Sequence, residues 1–256
     1  GGILVFGVPG DGGKDSAGTG ACRQDGVVQK TCREVKKNFP GLIVATDVCL
    51  CAYTDHGHCG SLDPRGDVDN DKTLDMLMKT AVSHAESEAD WVAPSAMMDG
   101  QVQAIRRALD SRGFTNTVLM SYSSKFASAM YGPFREAENS APGKGDRKGY
   151  QASYGSLSQA LRESRLDEEE GADILMVKPA LFYLDIIARL RERTLLPLAA
   201  YNVSGEYSML HASARQGWGD LKAMVRESTA ALARAGTDIF ISYWAKNYDE
   251  YFGGAV

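Results

Sequence analysis

A chain of 256 residues with 44% hydrophobic and 24% charged residues can bury one large core, so a single domain over residues 1–256 is the economical organisation. A net charge of -5 without any Lys/Arg-rich block argues against nucleic acid or an anionic membrane surface as the main partner. No apolar run nears the roughly 20 residues of a membrane helix, and the start, GGILVFGVPG, has neither a basic n-region nor a small-residue cleavage site, so a soluble protein is expected.

In chain order, the first apolar run is ILVFGV (3–8), followed by helical periodicity over 27–38. LIVATDVCL (42–50) reads as a strand, 71–89 as a helix, WVAPS (91–95) as a strand and 100–111 as a helix. TVLMSYS (117–123) is the next strand, and a long aperiodic segment separates it from a helix over 156–170. DILMVKP (173–179), a helix over 183–193, PLAAYNV (197–203), a helix over 219–235 and DIFISYW (238–244) complete the series. Strand and helix alternate throughout, which is the mark of a parallel sheet wrapped by helices. A (β/α)8 TIM barrel is preferred over a doubly wound sheet, although seven strands leave a barrel of eight one short.

Polar residues gather at the carboxyl ends of these runs: Asp47, Cys49 and Cys51, then Ser95, then Ser121, Ser123 and Lys125, then Lys178, Ser204 and Tyr243. That end carries the chemistry in barrels and doubly wound sheets alike. The stretch DVCLCAYTDHGHCG (47–60) holds three of the five cysteines and two of the four histidines. An odd cysteine number with three crowded into 49–59 is poor material for a disulfide framework, so reduced thiols in the cytosol or an organelle matrix are expected. The C-x-C pair would point to one face of an extended strand, and Cys59 returns after a loop containing Gly57. Three converging thiolates suit a soft or borderline metal, zinc being the commonest. With His56 or His58 as a fourth ligand the site would be closed and structural; without them it would be open and catalytic. Three small buried hydrophobes are the plainer alternative.

Lys125 and Lys178 each follow an apolar strand directly, where a lone ammonium is costly unless it reaches solvent. Two amines at one mouth would leave one of them neutral near pH 7 and able to form a Schiff base with a ketone. The segment at about 127–151, YGPFREAENSAPGKGDRKGYQ in its larger part, is long for a connection and reads as an active-site lid. Its Arg135 and Arg147 are placed to grip a carboxylate, with surface ion pairs as the alternative.

DVCLCAYTDHGHCG, APSAMMDGQVQAIRRAL, SYSSKFASAMYGPFREA, GDRKGYQ, GADILMVKPALFYLDII and YNVSGEYSML together resemble porphobilinogen synthases, also called 5-aminolevulinate dehydratases, over nearly the whole chain. The resemblance implies a TIM barrel that condenses two molecules of 5-aminolevulinate to porphobilinogen with loss of two waters. It places catalytic zinc on Cys49, Cys51 and Cys59, leaves His56 and His58 out of the ligand set, and makes Lys178 the Schiff-base lysine with Lys125 its partner. Asp47 and Ser95 fall near the metal and the second substrate's amino group. Arg135, Arg147 and Gln151 fall on the lid residues for one carboxylate, Ser204 and Tyr243 on those for the other, with Tyr131 beside them. Glu163 in RESRLDEEEGAD matches a segment that carries an allosteric magnesium, and Met130 stands where the family often has phenylalanine. The family's octamer-forming amino-terminal arm and first strand have no counterpart before Gly1. A class I aldolase would need one lysine and no thiolates, and a catalytically silent relative with a structural or sensing zinc would have lost a lysine or a lid arginine; all are retained here. A cytoplasmic enzyme follows, with a plastid as the other compartment.

Overall fold

The computed structural model describes residues 1–10, 12–137, 143 and 145–253. Seven parallel strands follow one another in a single sheet in chain order: β1 Gly2–Val5, β2 Ile43–Val48, β3 Trp91–Pro94, β4 Val118–Lys125, β5 Ile174–Lys178, β6 Leu198–Asn202 and β7 Ile239–Ser242. The helices between them are α1 Val27–Asn38, α2 Asn70–Ala85, α3 Gln101–Ser111, α4 Gly132–Ala137, α5 Leu157–Glu169, α6 Leu184–Arg191, α7 Ser204–Arg215 and α8 Leu221–Ala235, with α9 Tyr248–Phe252 after β7. Sequential neighbours pair at every step from β1 to β7, and among the described residues no strand joins β7 back to β1, so the barrel is nearly closed. All seven expected strands are present.

Strand parity divides the core into two layers. Met120 and Tyr122 of β4, Ile174 and Met176 of β5, and Ala199 and Tyr201 of β6 share one cluster inside the barrel. Leu119, Leu175, Val177, Leu198 and Ala200 face the other way and pack with Leu77, Ile105, Ile187 and Leu232 from the helices. By this parity Lys178 follows Ile174 and Met176 inward. Lys125 would fall on the helix side were it not for a one-residue slip, since Ser121 pairs with Leu175 but Ser124 with Val177. The extra residue is a β-bulge, which re-aims everything after it. Ser121 and Ser124 accordingly both reach outward to α5, at Asp167 (2.6 Å) and Ser164 (2.9 Å), and Lys125 turns in.

Two expectations are corrected. Strand β2 ends at Val48, so Cys49 and Cys51 lie in the turn after it rather than on extended chain, and that turn is closed by the amides of Tyr53 and Thr54 on the Leu50 carbonyl. Helix α7 has no counterpart among the expected helices. It buries Ser204 and Glu206 rather than an apolar stripe, so the periodicity that betrays a helix is missing there.

His84 of α2 is sealed in this shell, with Nδ1 3.0 Å from Thr46 Oγ1 and Nε2 without a partner, and burial holds its pKa down at about 3. The unfolded chain protonates this imidazole near pH 6.5, whereas the folded chain does so only near pH 3, so stability falls as pH drops through that window. Urea midpoints are expected to decline less steeply for His84→Gln than for the wild type, by up to roughly 4 kcal/mol accumulated over the window. Asp167 and Glu206, both pushed up to about 7 by burial, act with the opposite sign but cancel in the comparison of variant with wild type. Parallel acid limbs would refute the assignment.

Candidate active site

Lys178, the last residue of β5, and Lys125, the last of β4, stand opposite each other in register. Both Nζ atoms lie over one ring, that of Tyr122, at 5.0 Å for Lys178 and 5.4 Å for Lys125 from its centroid. Lys178 Nζ is also walled by Tyr201 (4.2 Å), Phe134 (5.1 Å), Tyr131 (5.5 Å) and Phe6 (5.7 Å). Aromatic faces attract a cation and keep bulk water away from whatever forms on that nitrogen. Lys125 Nζ is fixed by donation to the Ser95 carbonyl at 2.6 Å.

The Ser95 hydroxyl donates to Asp47, whose Oδ1 is sealed from solvent and has no partner. Burial raises the Asp47 pKa against the pull of Lys125 and Lys178. Asp47 also feels Cys59, which connects the lysine pair to the thiol group electrostatically. Cys49, Cys51 and Cys59 bring their sulfurs within 4.8 Å of one another, and all three are buried. Hydrogen bonds from Cys49 and Cys51 pull the Cys59 thiol well below its ordinary pKa despite burial, so one thiolate is stabilised within the trio. Gly57, at φ 73, supplies the left-handed turn that brings Cys59 back. No histidine joins this group among the described residues; His56 Nδ1 accepts from the His58 amide at 3.1 Å, and His58 Nδ1 lies 3.2 Å from the Tyr150 hydroxyl.

The expected lid is described on either side of residues 138–142 and 144, which lie outside the described residues. Its carboxyl limb rests on the thiol loop: Gly143 donates to the His56 carbonyl (3.1 Å), Arg147 Nη2 to the Gly57 carbonyl (2.9 Å), and the Cys59 amide to Tyr150 Oη (3.4 Å). Burial opposes the Arg147 charge, but the Cys59 and Cys51 sulfurs hold its pKa above the ordinary value. Arg135, on α4, sits with its guanidinium carbon 5.4 Å from the Tyr131 centroid and its Nε sealed without a partner. Burial and the neighbouring Arg147 push its pKa down. Gln151 is buried with neither amide atom partnered. Asp47, Arg135 and Gln151 thus each bring a buried polar atom without a protein partner, at a cost of about 1–3 kcal/mol apiece that a polar ligand would relieve.

Ser204 opens α7 and its Oγ accepts from the Phe134 amide at 3.1 Å. Tyr243 follows β7, packs 5.4 Å from Tyr207, and lines with Phe6, Phe134 and Tyr201 a cavity of about 910 Å³ that runs along the β7 to β1 side. The Tyr131 hydroxyl donates to the carbonyls of Phe126 (2.9 Å) and Lys178 (3.1 Å), so it pins the lysine's backbone and only its ring meets the site. Glu163 lies apart, half-buried on α5, its pKa raised by burial and by Asp99. Tyr122, Tyr201, Phe6, Phe134 and Tyr150 belong to the site and were not expected from the chain. Strand parity would have found Tyr122 and Tyr201, which alternate inward toward the lysines.

The family model described as Delta-aminolevulinic acid dehydratase matches residues 1–251. A protein of that name from Halalkalibacterium halodurans is 53% identical over 96% of this chain and 74% of its own length. One from Archaeoglobus fulgidus is 54% identical over 97% and 76%. The crystal structure of the Toxoplasma gondii delta-aminolevulinic acid dehydratase (porphobilinogen synthase), in complex with the reaction product porphobilinogen, superposes with a TM-score of 0.95 at 41% identity, covering 97% of this chain and 71% of that one.

Proposed function

Because the chain belongs to the delta-aminolevulinic acid dehydratase family, and so condenses 5-aminolevulinate to porphobilinogen in tetrapyrrole synthesis, we propose which of its residues carry each part of that reaction. The observation that carries the assignment is the pair of strand-end lysines over the single Tyr122 ring, beside three converging thiols. Lys178 takes the first substrate: its amine attacks the ketone carbon, the carbinolamine loses water, and the protonated imine draws electrons from the adjacent carbon and acidifies its C–H. The five rings around Nζ shield that imine from hydrolysis. Ser204 and Tyr243 hold this substrate's carboxylate. Lys125, held on Ser95 O, faces the second substrate. Asp47 and Ser95 receive its amino group, and the orphaned donors Arg135 Nε and Gln151 Nε2 receive its carboxylate together with Arg147.

The family is metal-dependent, and the donor set here fits zinc: three buried sulfurs within 4.8 Å of one another. We assign zinc to Cys49, Cys51 and Cys59; when bound, it supplies Lewis acidity toward a carbonyl oxygen. We further assign Glu163 to an allosteric magnesium and the assembly to an octamer, both on family likeness. No helix among the described residues is long and apolar enough to cross a membrane, and five free thiols suit a reducing compartment, the cytosol or a plastid.

Incubation with 5-aminolevulinate followed by borohydride is expected to leave a stable secondary amine on Lys178, located by peptide mass mapping. An adduct solely elsewhere, or none in folded, metal-loaded protein, would refute the role of Lys178.

A further inference from the structure

Glu206 is fully buried, and its carboxylate accepts from three backbone amides and one asparagine. Oε2 accepts from the Val203 amide (2.9 Å) and Asn202 Nδ2 (3.1 Å), which is ordinary capping within the first turn of α7. Oε1 does something capping does not require. It crosses to the next strand exit and accepts from the amides of Ala180 (3.1 Å) and Leu181 (2.8 Å), two and three residues beyond Lys178. One carboxyl group therefore ties the segment leaving β5 at Lys178 to the segment leaving β6 at Ser204.

A third element joins the same knot. Ser204 Oγ accepts from the Phe134 amide, and Phe134 neighbours Arg135 and packs over Lys178 Nζ. Gly205 lies so close to the Met130 backbone that a Cβ there would meet the Met130 Cα at 2.8 Å. Burying a carboxyl is expensive unless every lone pair is used. Burial raises the Glu206 pKa to about 7 even with four donors, so the site bears a real desolvation cost for its geometry.

We propose that Glu206 is a positioning residue for the condensation, setting the distance between the Lys178 amine and the Ser204 hydroxyl by stapling the exits of β5 and β6. This rests on the roles given above to Lys178 and Ser204. A substrate gripped at its ketone by one exit and at its carboxylate by the next reacts only if the two keep their spacing, and misplacement by about 1 Å costs up to roughly 100-fold in rate.

The test compares full-length, metal-loaded wild type, Glu206→Gln, Ser204→Ala and the double variant for kcat, KM and the rate of borohydride trapping by 5-aminolevulinate, with near-UV circular dichroism as the check on folding. Glu206→Gln is expected to lower kcat and the trapping rate together by roughly 30- to 100-fold. Ser204→Ala is expected to raise KM clearly in the wild type and much less in the Glu206→Gln background, because there the hydroxyl is already out of register. Kinetics within twofold of wild type, or effects of the two substitutions that multiply independently, would overturn the proposal. Should Glu206→Gln not fold, Asn202→Ala removes one donor to the carboxyl and is expected to lower kcat about threefold to tenfold with the same non-additivity toward Ser204→Ala; independence would again overturn it. Absence of trapping in the wild type would overturn both this proposal and the role of Lys178, whereas trapping in the wild type with unaffected variants overturns the role of Glu206 alone.

Discussion

Lys178→Ala is expected to lower kcat by about four orders of magnitude, roughly 5 kcal/mol of transition-state stabilisation, while leaving the fold intact and abolishing borohydride trapping. The size follows from what disappears. Without the amine there is no imine, and without the imine the carbon beside the ketone loses its electron sink. Lys125→Ala should behave differently. Its nitrogen is committed to Ser95 O on the Tyr122 ring, so its loss leaves the Lys178 adduct able to form while turnover falls. Steady-state kinetics of both variants, each with mass mapping of the trapped product, separate the two roles. If Lys178→Ala kept more than about a tenth of the wild-type kcat, or if trapping moved to Lys125 with turnover preserved, the division between the lysines would be wrong. The aromatic wall makes Lys178→Ala structurally mild, because the rings of Phe134, Tyr131 and Tyr201 can close on the space left by a flexible side chain.

Much of this site was legible in the chain, and the reasons differ from residue to residue. Lys178 could be read from strand parity alone, since 174, 176 and 178 face one way on an unbroken strand. Lys125 could not, because its inward aim depends on a bulge between Ser121 and Ser124 that no local pattern marks. The cysteines were found by composition, but for a geometric reason that does not hold: they meet through a turn after β2 and the left-handed Gly57, not along a strand face. Helix α7 was invisible because its inward residues are Ser204 and Glu206, and a helix that buries polar groups at a functional site shows no apolar period. Lid contacts such as Arg147 on the Gly57 carbonyl are long-range and chosen by tertiary packing, so the chain offered Arg147 as a carboxylate grip or a surface ion pair without a way to choose, and only the resemblance favoured the first. Seven strands were recovered because strands of a parallel sheet read as short apolar runs, at the less buried β1 and β7 as well as at the buried β2 to β6.

Removing one ligand of the sulfur trio should separate metal binding from imine formation. Structural zinc sites release about 10–16 kcal/mol over four ligands, so losing one thiolate is worth roughly 3 kcal/mol, or two to three orders of magnitude in affinity. Cys59→Ser is the sharpest choice, because Cys59 reaches the trio from the far side of the Gly57 turn and a serine hydroxyl does not ionise near neutral pH. Zinc affinity measured by competition with a chromogenic chelator is expected to fall by that factor, and cobalt-substituted protein to lose sulfur-to-metal charge-transfer intensity. Wild-type protein stripped by chelator is expected to form no product yet still to be trapped on Lys178, since the amine lies at the end of β5 over the Tyr122 and Tyr201 rings of β4 and β6, and the sulfurs on the loop after β2. Because Arg147 and Tyr150 dock on that same loop, the carboxyl limb of the lid is expected to become more open to proteolysis in Cys59→Ser and in stripped protein alike. Retained zinc affinity in Cys59→Ser would sink the ligand assignment. Loss of trapping in stripped protein would show instead that the sulfur site shapes the surroundings of Lys178, and that metal binding and imine formation are not separable.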